Sequence, residues 1–379
     1  MSEKQTILLD TECGPNYWLI NLWNITTDKR VSILLTPDLS DDEWKVRTDR
    51  LRSIMQNPTY RFITFNGMSY DMPMIFYVLS GKRNRDIKRA NDLIIKSQIK
   101  YWEAEKALNI RIPALDHIDL IEPNPSVRQS QKTLAGRLHA RKMQDLPYDP
   151  DMELTAEQIE HVTEYCWNDI EVLRLLFEAL KEPLALREAL GKEYNQDFRS
   201  KSDAQMGEAI IKWGIEKATG RKPERTSGQR GTSFTYPVPD WMSFQTPELQ
   251  AILEAVRETE FYIKPDGKVE MPKSLEGRKI TIGGSTYAMG IGGLHSTEAN
   301  RMVASDDDNV LIDADVTSQY PNIIMKLGLY PQALGPAFLK VYGKVLADRV
   351  AAKSRAKQIE GEIAELKKKL QSMEAENGL

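Results

Sequence analysis

The sequence predicts a globular α/β protein of two or three domains, and three observations lead to that prediction. The 379 residues are 41% hydrophobic and 28% charged, which is ordinary globular usage and is enough for a sizeable core. Strand and helix signals alternate over residues 1–190, as is typical of a layered α/β domain. At roughly 100–200 residues per domain, the length favours two or three domains. No run approaches the roughly 18 apolar residues of a membrane span, so no membrane partner is expected.

The first 190 residues carry the clearest elements. Strands are expected at residues 6–10, 17–25, 31–35, 61–65 and 115–120, with a polar turn at 26–29. Helices are expected at residues 68–79, 84–106 and 155–181. The last of these begins with Thr155 and Gln158 at the spacing of a capping box. Composition shifts at Glu182-Pro183, which marks the end of this region.

The remaining residues give weaker signals. A helix is expected at residues 203–217, and residues 219–300 are rich in Gly, Pro, Ser and Thr. A polar run at 305–309 precedes an expected strand at 310–316. The tail, residues 344–376, is predicted to be a highly charged helix without a coiled-coil seam.

Composition also narrows the class of protein. The two cysteines, Cys13 and Cys166, cannot form a disulfide framework, so a reducing cytoplasm is expected. Four histidines without a CxxC motif argue against a structural zinc site. The first ten residues lack the apolar stretch of a signal peptide. The net charge of −4 neither requires nor excludes a nucleic-acid partner, because a basic groove can lie on a neutral protein.

Three segments place acidic residues where they could act together. Asp10 and Glu12 end the first predicted strand, and residues two apart on a strand point to one face. Asp71 falls in the first turn of the helix after the fourth strand, where a carboxylate is favoured in any case. Tyr165 and Asp169 are spaced i, i+4 and share a helix face. Paired carboxylate oxygens suit Mg²⁺ or Mn²⁺, although a buried arginine could also partner Asp169.

The order D-x-E, N-x4-D and Y-x3-D resembles the three motifs of the DEDDy class of 3′→5′ exonucleases, with the N-x4-D spacing of family B DNA polymerase proofreading domains. The resemblance covers residues 1–190. It implies an RNase H-like domain with a mixed sheet flanked by helices and the acids clustered at one strand end. It further implies that Asp10, Glu12, Asp71 and Asp169 hold two Mg²⁺ or Mn²⁺ ions, which clamp the attacking water and the leaving 3′ oxygen.

The same resemblance assigns supporting roles. Tyr165 would orient the attacking water, and Asn66 with the neighbouring Phe65 would contact a single-stranded DNA end. The acidic segment 116–119 also looks metal-like, but an ordinary acidic strand end is preferred there. The basic residues of the predicted helix at 84–106 could face DNA phosphates or simply solvent.

A second resemblance begins at Asp315. The residues Asp315-Val316-Thr317-Ser318-Gln319-Tyr320-Pro321-Asn322-Ile323-Ile324 resemble motif A of family B DNA polymerases, with Gln319 and Asn322 departing from the pattern. The resemblance implies that Asp315 is one of two carboxylates for catalytic metals and that Tyr320 stacks under the sugar of an incoming nucleotide.

Between the two lies a glycine-containing segment, residues 287–295, which looks like the linker motif that contacts the template strand in related phage enzymes. The resemblance assigns DNA binding to Tyr287, Gly292 and Gly293, since glycines allow close approach to a phosphate. The charged tail resembles the first fingers helix. The implied domains are an exonuclease at 1–190, a linking region at 191–300, a partial palm at 301–343 and a partial fingers helix at 344–379.

Motifs B and C, which the family needs to bind the nucleotide and complete the two-metal site, are not found in the chain. The sequence therefore predicts the N-terminal part of a bacteriophage-type family B DNA polymerase, located in the host cytoplasm. It would act on single-stranded and primer–template DNA. Polymerisation from dNTPs would need a second chain with motifs B and C, and a split gene, a shortened chain and an incomplete reading frame all remain open.

Two other functions stay open at this point. The chain could be a stand-alone DEDDy exonuclease with a DNA-holding appendage, although motif A argues against that. It could also be a non-catalytic DNA-binding or assembly subunit of a split polymerase, although four acids and a tyrosine in register argue against decayed sites.

Overall fold

The computed structural model describes residues 4–97, 99, 101–124, 129–224 and 230–376. The chain divides into two compact units, Met1–Trp213 and Gly214–Leu379. The first unit extends past residue 190 because the segment after it is tied to the sheet. Arg199 forms an ion pair with Asp116, and the Ser200 hydroxyl accepts a hydrogen bond from the backbone N–H of Asp119.

Unit 1 is built on a five-stranded mixed sheet, as the sequence predicted. Its strands are β1 (Gln5–Gly14), β2 (Tyr17–Asn24), β3 (Lys29–Leu35), β4 (Tyr60–Thr64) and β5 (His117–Asp119), in the spatial order β3-β2-β1-β4-β5. The first three strands are antiparallel neighbours, whereas β4 and β5 run parallel to β1. The long strand β1 therefore lies at the centre of the sheet, and its end is where the predicted acids lie.

Helices cover both faces of this sheet. They are α1 (Asp41–Met55), α2 (Asp71–Leu79), α3 (Asn84–Lys96), α4 (Tyr101–Leu108), α5 (Gln131–Arg137), α6 (Ala156–Ala179), α7 (Lys181–Tyr194) and α8 (Asp203–Thr219), the last of which crosses the unit boundary. Side chains along β1 point alternately to the two faces of the sheet and pack into two different cores. Ile7 and Leu9 pack into the cluster that contains α1, α2 and α3 residues. Leu8 packs with Ile170 and Leu173 of α6 on the other face.

Some predicted boundaries were wrong. The single helix expected at 84–106 is two helices, because α3 stops at Ser97, a residue type that competes with helical backbone bonds. Lys100, a basic residue of that predicted helix, lies outside the described residues. The helices α1, α5 and α7 were not predicted, although Ser40 and Glu43 form a capping box at the start of α1 that the sequence displays.

Unit 2 has small sheets and long exposed segments. It contains β6 (Ser233–Thr235), α9 (Pro247–Glu258), β7 (Glu260–Tyr262), β8 (Lys279–Ile282), β9 (Ser285–Gly290), β10 (Gly293–Ser296), α10 (Gln319–Leu327) and α11 (Ala337–Glu376). β8, β9 and β10 form an antiparallel three-stranded sheet, and β6 pairs with β7. Among the described helices of the chain, none is both long and apolar enough to cross a bilayer.

The strand predicted at residues 310–316 does not form. The segment has no regular secondary structure, and its apolar side chains are exposed, with Val310 at 79% and Ile312 at 77%. A strand needs a hydrogen-bonded neighbour, and among the described residues no ladder includes this segment. The prediction of a palm strand at residues 310–316 is therefore wrong. The helix expected after it is present as α10.

Candidate active site

Asp10 and Glu12 lie on the same face of β1, as their spacing predicts. Leu8 precedes them on that face and is fully buried, so the strand passes from the core to the two acids. The face is covered by α6, which packs against both β1 and β2. Both carboxylates are half-buried. The strand therefore holds two carboxyl groups beside a helix rather than in open solvent.

Asp169 on α6 completes a cluster of three carboxylates. One oxygen from each of Asp10, Glu12 and Asp169 lies within 4.8 Å of the other two. The register of α6 is set at its start by the Thr155–Gln158 capping box, which the sequence predicted and the structure confirms. The structure thus brings together three of the four acids that the resemblance names.

Asp71 lies close to this cluster but outside it. Its carboxylate is buried, with the residue 2% exposed, and Oδ1 accepts a 2.6 Å hydrogen bond from the Thr11 hydroxyl. Thr11 points to the opposite face of β1 from Asp10 and Glu12, because it lies between them on the strand. The negative charge of Asp71 still contributes to raising the pKa values of Asp10 and Glu12.

The electrostatics of the cluster favour bound cations. Burial and then mutual repulsion raise the pKa of Asp10 well above its usual range and that of Glu12 to about 8. Burial also raises the pKa of Asp71 to about 7 and raises that of Asp169. Ionising several neighbouring carboxyl groups together is costly, because their negative charges repel each other. A cation shared among them offsets that repulsion and makes the ionised forms favourable. Clustered carboxylate oxygens are the donor set that Mg²⁺ and Mn²⁺ prefer, so the residues fit such an ion.

Tyr165 lies one turn before Asp169 and is directed into the cluster. It is 8% exposed, and its hydroxyl donates a hydrogen bond to the Asp169 carboxylate. Burial raises the pKa of its phenol, with the charges of Asp169 and Glu12 adding to the effect. Tyr165 therefore stays protonated and can act as a hydrogen-bond donor beside the carboxylates.

Lys132 is a site residue that the sequence analysis missed. It extends from the first turn of α5, with its Nζ 6.0 Å from the centre of the Tyr165 ring, and its charge acts to lower the pKa of Glu12. It also forms an ion pair with Asp145. The side chain of Gln131 ties α5 to α6 by donating to the backbone oxygen of Asp169 at 2.7 Å. A lysine in the first turn of a helix interacts unfavourably with the helix dipole. This unusual position was the feature of the sequence that could have pointed to Lys132.

The Asn66 loop leads from β4 into α2, which begins at Asp71, and it is held by Asp119. Asn66 adopts a positive φ of 64°, and the Asp119 carboxylate accepts hydrogen bonds from the backbone N–H groups of Asn66 at 2.7 Å and Met68 at 2.9 Å. A Cβ on Gly67 would lie 2.2 Å from the Thr64 hydroxyl oxygen, so the loop requires glycine there. Phe65 is partly buried against the core beneath α6.

The other members of the acidic segment 116–119 also have structural partners. Asp116 pairs with Lys4, Arg61 and Arg199. His117 lies 2.8 Å from the Thr64 hydroxyl through Nε2, and burial lowers its pKa to about 4. Through these ion pairs and hydrogen bonds, the segment stabilises the edge of the sheet and the Asn66 loop.

The site residues predicted in unit 2 are not gathered into a cluster. Asp315 is exposed, and within the described part of the chain it belongs to no group of three potential metal ligands. Tyr320, in the first turn of α10, is 74% exposed. Tyr287 is half-buried on β9, and Gly292 and Gly293 lie at the β9–β10 turn, where Gly293 has a φ of 135°.

Comparisons with known proteins give a weak likeness. No protein-family model matches the chain, and no curated protein matches it. Among solved structures it is similar to E. coli Exonuclease I, determined in complex with a dT13 oligonucleotide, with 10% sequence identity and a TM-score of 0.21. The matched region covers 51% of this chain and 44% of that chain, so less than half of Exonuclease I is spanned. A likeness at this level identifies neither fold nor function.

Proposed function

We propose that the protein is a metal-dependent 3′→5′ exonuclease that acts on single-stranded DNA ends. The observation that carries the proposal is the convergence of Asp10, Glu12 and Asp169 within 4.8 Å, with the Tyr165 hydroxyl bonded to one of them. The three acids come from two elements far apart in the chain, Asp10 and Glu12 from β1 and Asp169 from α6. Buried carboxylates without a partner would only destabilise the fold.

Asp10, Glu12 and Asp169 would hold the divalent ions, with Asp71 beside them. When bound, Mg²⁺ or Mn²⁺ supplies a nucleophilic water near neutral pH and offsets charge on the leaving oxygen. Hydrolysis breaks the bond between phosphorus and the 3′ oxygen of the preceding nucleotide. Water adds to phosphorus, a nucleoside 5′-monophosphate leaves, and the shortened strand keeps a 3′-hydroxyl.

The chain's own residues act around that bond. The Tyr165 hydroxyl would orient the attacking water by accepting a hydrogen bond from it, because its own proton is donated to Asp169. Lys132 contributes a positive charge near Glu12 and Tyr165, which favours a phosphate at the same place. The Asn66 loop, fixed by Asp119, presents backbone and amide groups to the DNA strand.

A family B polymerase relationship is the second candidate, and the observation that favours it is the motif at residues 315–324. Its proline-containing helix is formed as α10. Asp315 and Tyr320 would take the metal-binding and sugar-stacking roles in a completed palm, with a second chain carrying motifs B and C as the proposed partner. Tyr287, Gly292 and Gly293 would contact template DNA.

One assay tests both candidates. The purified chain is incubated with Mg²⁺ or Mn²⁺ and a 5′-labelled single-stranded DNA, with a primed template and dNTPs in parallel. We expect a 3′-shortening ladder that the D10N/E12Q double variant abolishes and that Asp308→Asn, an exposed acid outside the cluster, leaves unchanged. Extension of the primer would support the polymerase candidate.

Two results would remove the exonuclease proposal. One is the absence of shortening with either metal, which would favour a DNA-binding or assembly role. The other is unchanged cleavage by the double variant, since that would place the nuclease elsewhere. RNA of the same sequence, run alongside, tests the preference for DNA.

A further inference from the structure

The second half of α11 is exposed on every side. The helix is 40 residues long, and its first part contacts α10, where the Arg349 guanidinium donates a 2.7 Å hydrogen bond to the Ser318 hydroxyl. Beyond that contact, every residue from 351 to 372 is exposed. A helix that packs against nothing is marginal in water, because most helical stability comes from burying an apolar face. A partner that covers such a face would therefore stabilise this part of α11.

Apolar residues in this part of α11 recur at alternating spacings of four and three residues. They are Ala352, Ala356, Ile359, Ile363, Leu366 and Leu370. This is the spacing of a coiled-coil seam, with position a at 356, 363 and 370 and position d at 352, 359 and 366. The four large side chains are between 43% and 63% exposed. The prediction that the tail lacks a seam therefore holds only before Ala352, where Arg349 occupies an a position.

The charged residues that flank this seam alternate in sign. Position e carries Lys353, Glu360 and Lys367, and position g carries Arg355, Glu362 and Lys369. In a parallel coiled coil, a g residue of one helix lies beside the following e residue of the other, and such pairs set the choice of partner. Arg355 would then meet Glu360 of a second copy, and Glu362 would meet Lys367. Flanking charges that complement themselves in this way fit another copy of the same chain.

We propose that residues 352–370 of α11 pair with the same residues of a second copy of this chain as a parallel, in-register coiled coil. Each a or d residue then packs against its counterpart, and the flanking charges on both sides attract. The inference does not depend on the proposed exonuclease function, because the seam belongs to unit 2 and the carboxylate cluster to unit 1. The dimer joins two copies of unit 1, each with its own cluster.

Sedimentation equilibrium of the full chain tests the proposal. The mean mass should rise from that of one chain towards that of two as the protein concentration increases from about 1 to 100 µM. The I363K/L366K variant places like charges in the seam of both copies and should weaken association by about a hundredfold or more. The A364K/Q371K variant adds the same charge at exposed positions of α11 outside the seam. This matched control should associate as wild type does.

Charge reversal tests the same pairing without altering the seam. Glu362→Lys should weaken association by about tenfold, because it sets a like charge beside Lys367 of the second copy. Adding Lys367→Glu to the same chain restores opposite charges, so the E362K/K367E variant should recover the association. Wild type that stays monomeric at every concentration, as a seam covered by a different protein would give, would overturn the proposal. So would an I363K/L366K variant that associates like wild type, or an E362K/K367E variant that does not recover.

Discussion

Glu12 shows how one residue can link metal binding to stability. Its pKa is raised from the ordinary 4.5 to about 8, chiefly by burial and then by the charges of Asp169 and Asp71. A raised folded-state pKa gives stability that is fully present below pH 4.5 and is lost as pH rises through about 8. Without metal, the free energy of unfolding should therefore fall between pH 4.5 and 8.

Glu12→Gln removes this titration. In EDTA at pH 8 we expect the variant to melt about 2–8 °C above wild type, as relief of one or two kcal/mol gives in a domain of this size. At pH 5 the Tm values of wild type and the variant should lie closer together, because Glu12 is then protonated in the folded protein. Added Mn²⁺ should raise the Tm of wild type but not of the variant. Thermal melting at both pH values tests this, and a variant less stable than wild type at pH 8 in EDTA would contradict it.

Asp119 acts on the site through the Asn66 loop. Asp119→Ala leaves the N–H groups of Asn66 and Met68 without their acceptor, at a cost of about 1–3 kcal/mol. We expect the KM for single-stranded DNA to rise by about tenfold or more, on the scale of that cost, while kcat changes less, because the carboxylate cluster stays in place. Steady-state cleavage of a labelled oligonucleotide measures both values.

Asp116→Asn is the matched control for that experiment. It weakens ion pairs to Lys4 and Arg199 at the same sheet edge without touching the loop amides, so it should lower stability and leave the KM unchanged. A parallel rise of KM in both variants would mean that sheet stability, not the loop, sets DNA binding.

The carboxylate and tyrosine positions were predictable because periodicity alone fixes them. Asp10 and Glu12 share a strand face, and Tyr165 and Asp169 share a helix face, whatever the rest of the fold does. The bond from Thr11 to Asp71 and the approach of Lys132 depend on how separate elements pack. Neither follows from local spacing, and for that reason neither was predicted.

At the scale of elements, α5 is a short helix that brings one charge to the site. Lys132→Ala should lower the rate of cleavage by about 10- to 100-fold, the order found when one charge-stabilising donor is removed. Metal binding should persist, since removing a cation near the carboxylates lessens repulsion of Mn²⁺. Single-turnover rates and Mn²⁺-induced shifts in Tm separate the two effects.

Lys132→Arg and Asp145→Asn complete that test. The first keeps the charge and should retain more activity than the alanine variant. The second removes the exposed partner of Lys132 and should leave cleavage near wild type. Loss of metal binding in Lys132→Ala would contradict the assigned role and would indicate instead that α5 holds the cluster together.

The sequence predicted best those strands and helices in which apolar residues recur along a whole buried face. β1, β2 and α6 carry long apolar patterns, and α6 also has its cap. The break between α3 and α4, and the short helix α5, give too few turns for a pattern to stand out. The segment 310–316 has the composition of a strand. A strand must also pair with a neighbouring strand through backbone hydrogen bonds, and local composition does not show whether such a neighbour is present.

At the scale of the whole molecule, the two units differ in how much they bury. Unit 1 contains the extensive cores on both faces of its sheet, whereas unit 2 exposes large apolar side chains along residues 302–330, with Met302 at 94%. Segments with few buried contacts open most readily. Chymotrypsin at low concentration should therefore cut first between residues 300 and 320, before any cut in residues 4–97.

Such a cut should leave exonuclease activity intact, because every residue of the carboxylate cluster, Tyr165 and Lys132 belong to unit 1. Mass spectrometry of the first fragments locates the cuts, and cleavage assays on the nicked protein measure what remains. Prior addition of Mn²⁺ should protect residues in β1 and α6 further but not those at 302–316. First cuts within β1 or α6, or activity lost in step with cutting at 300–320, would show that the site depends on unit 2.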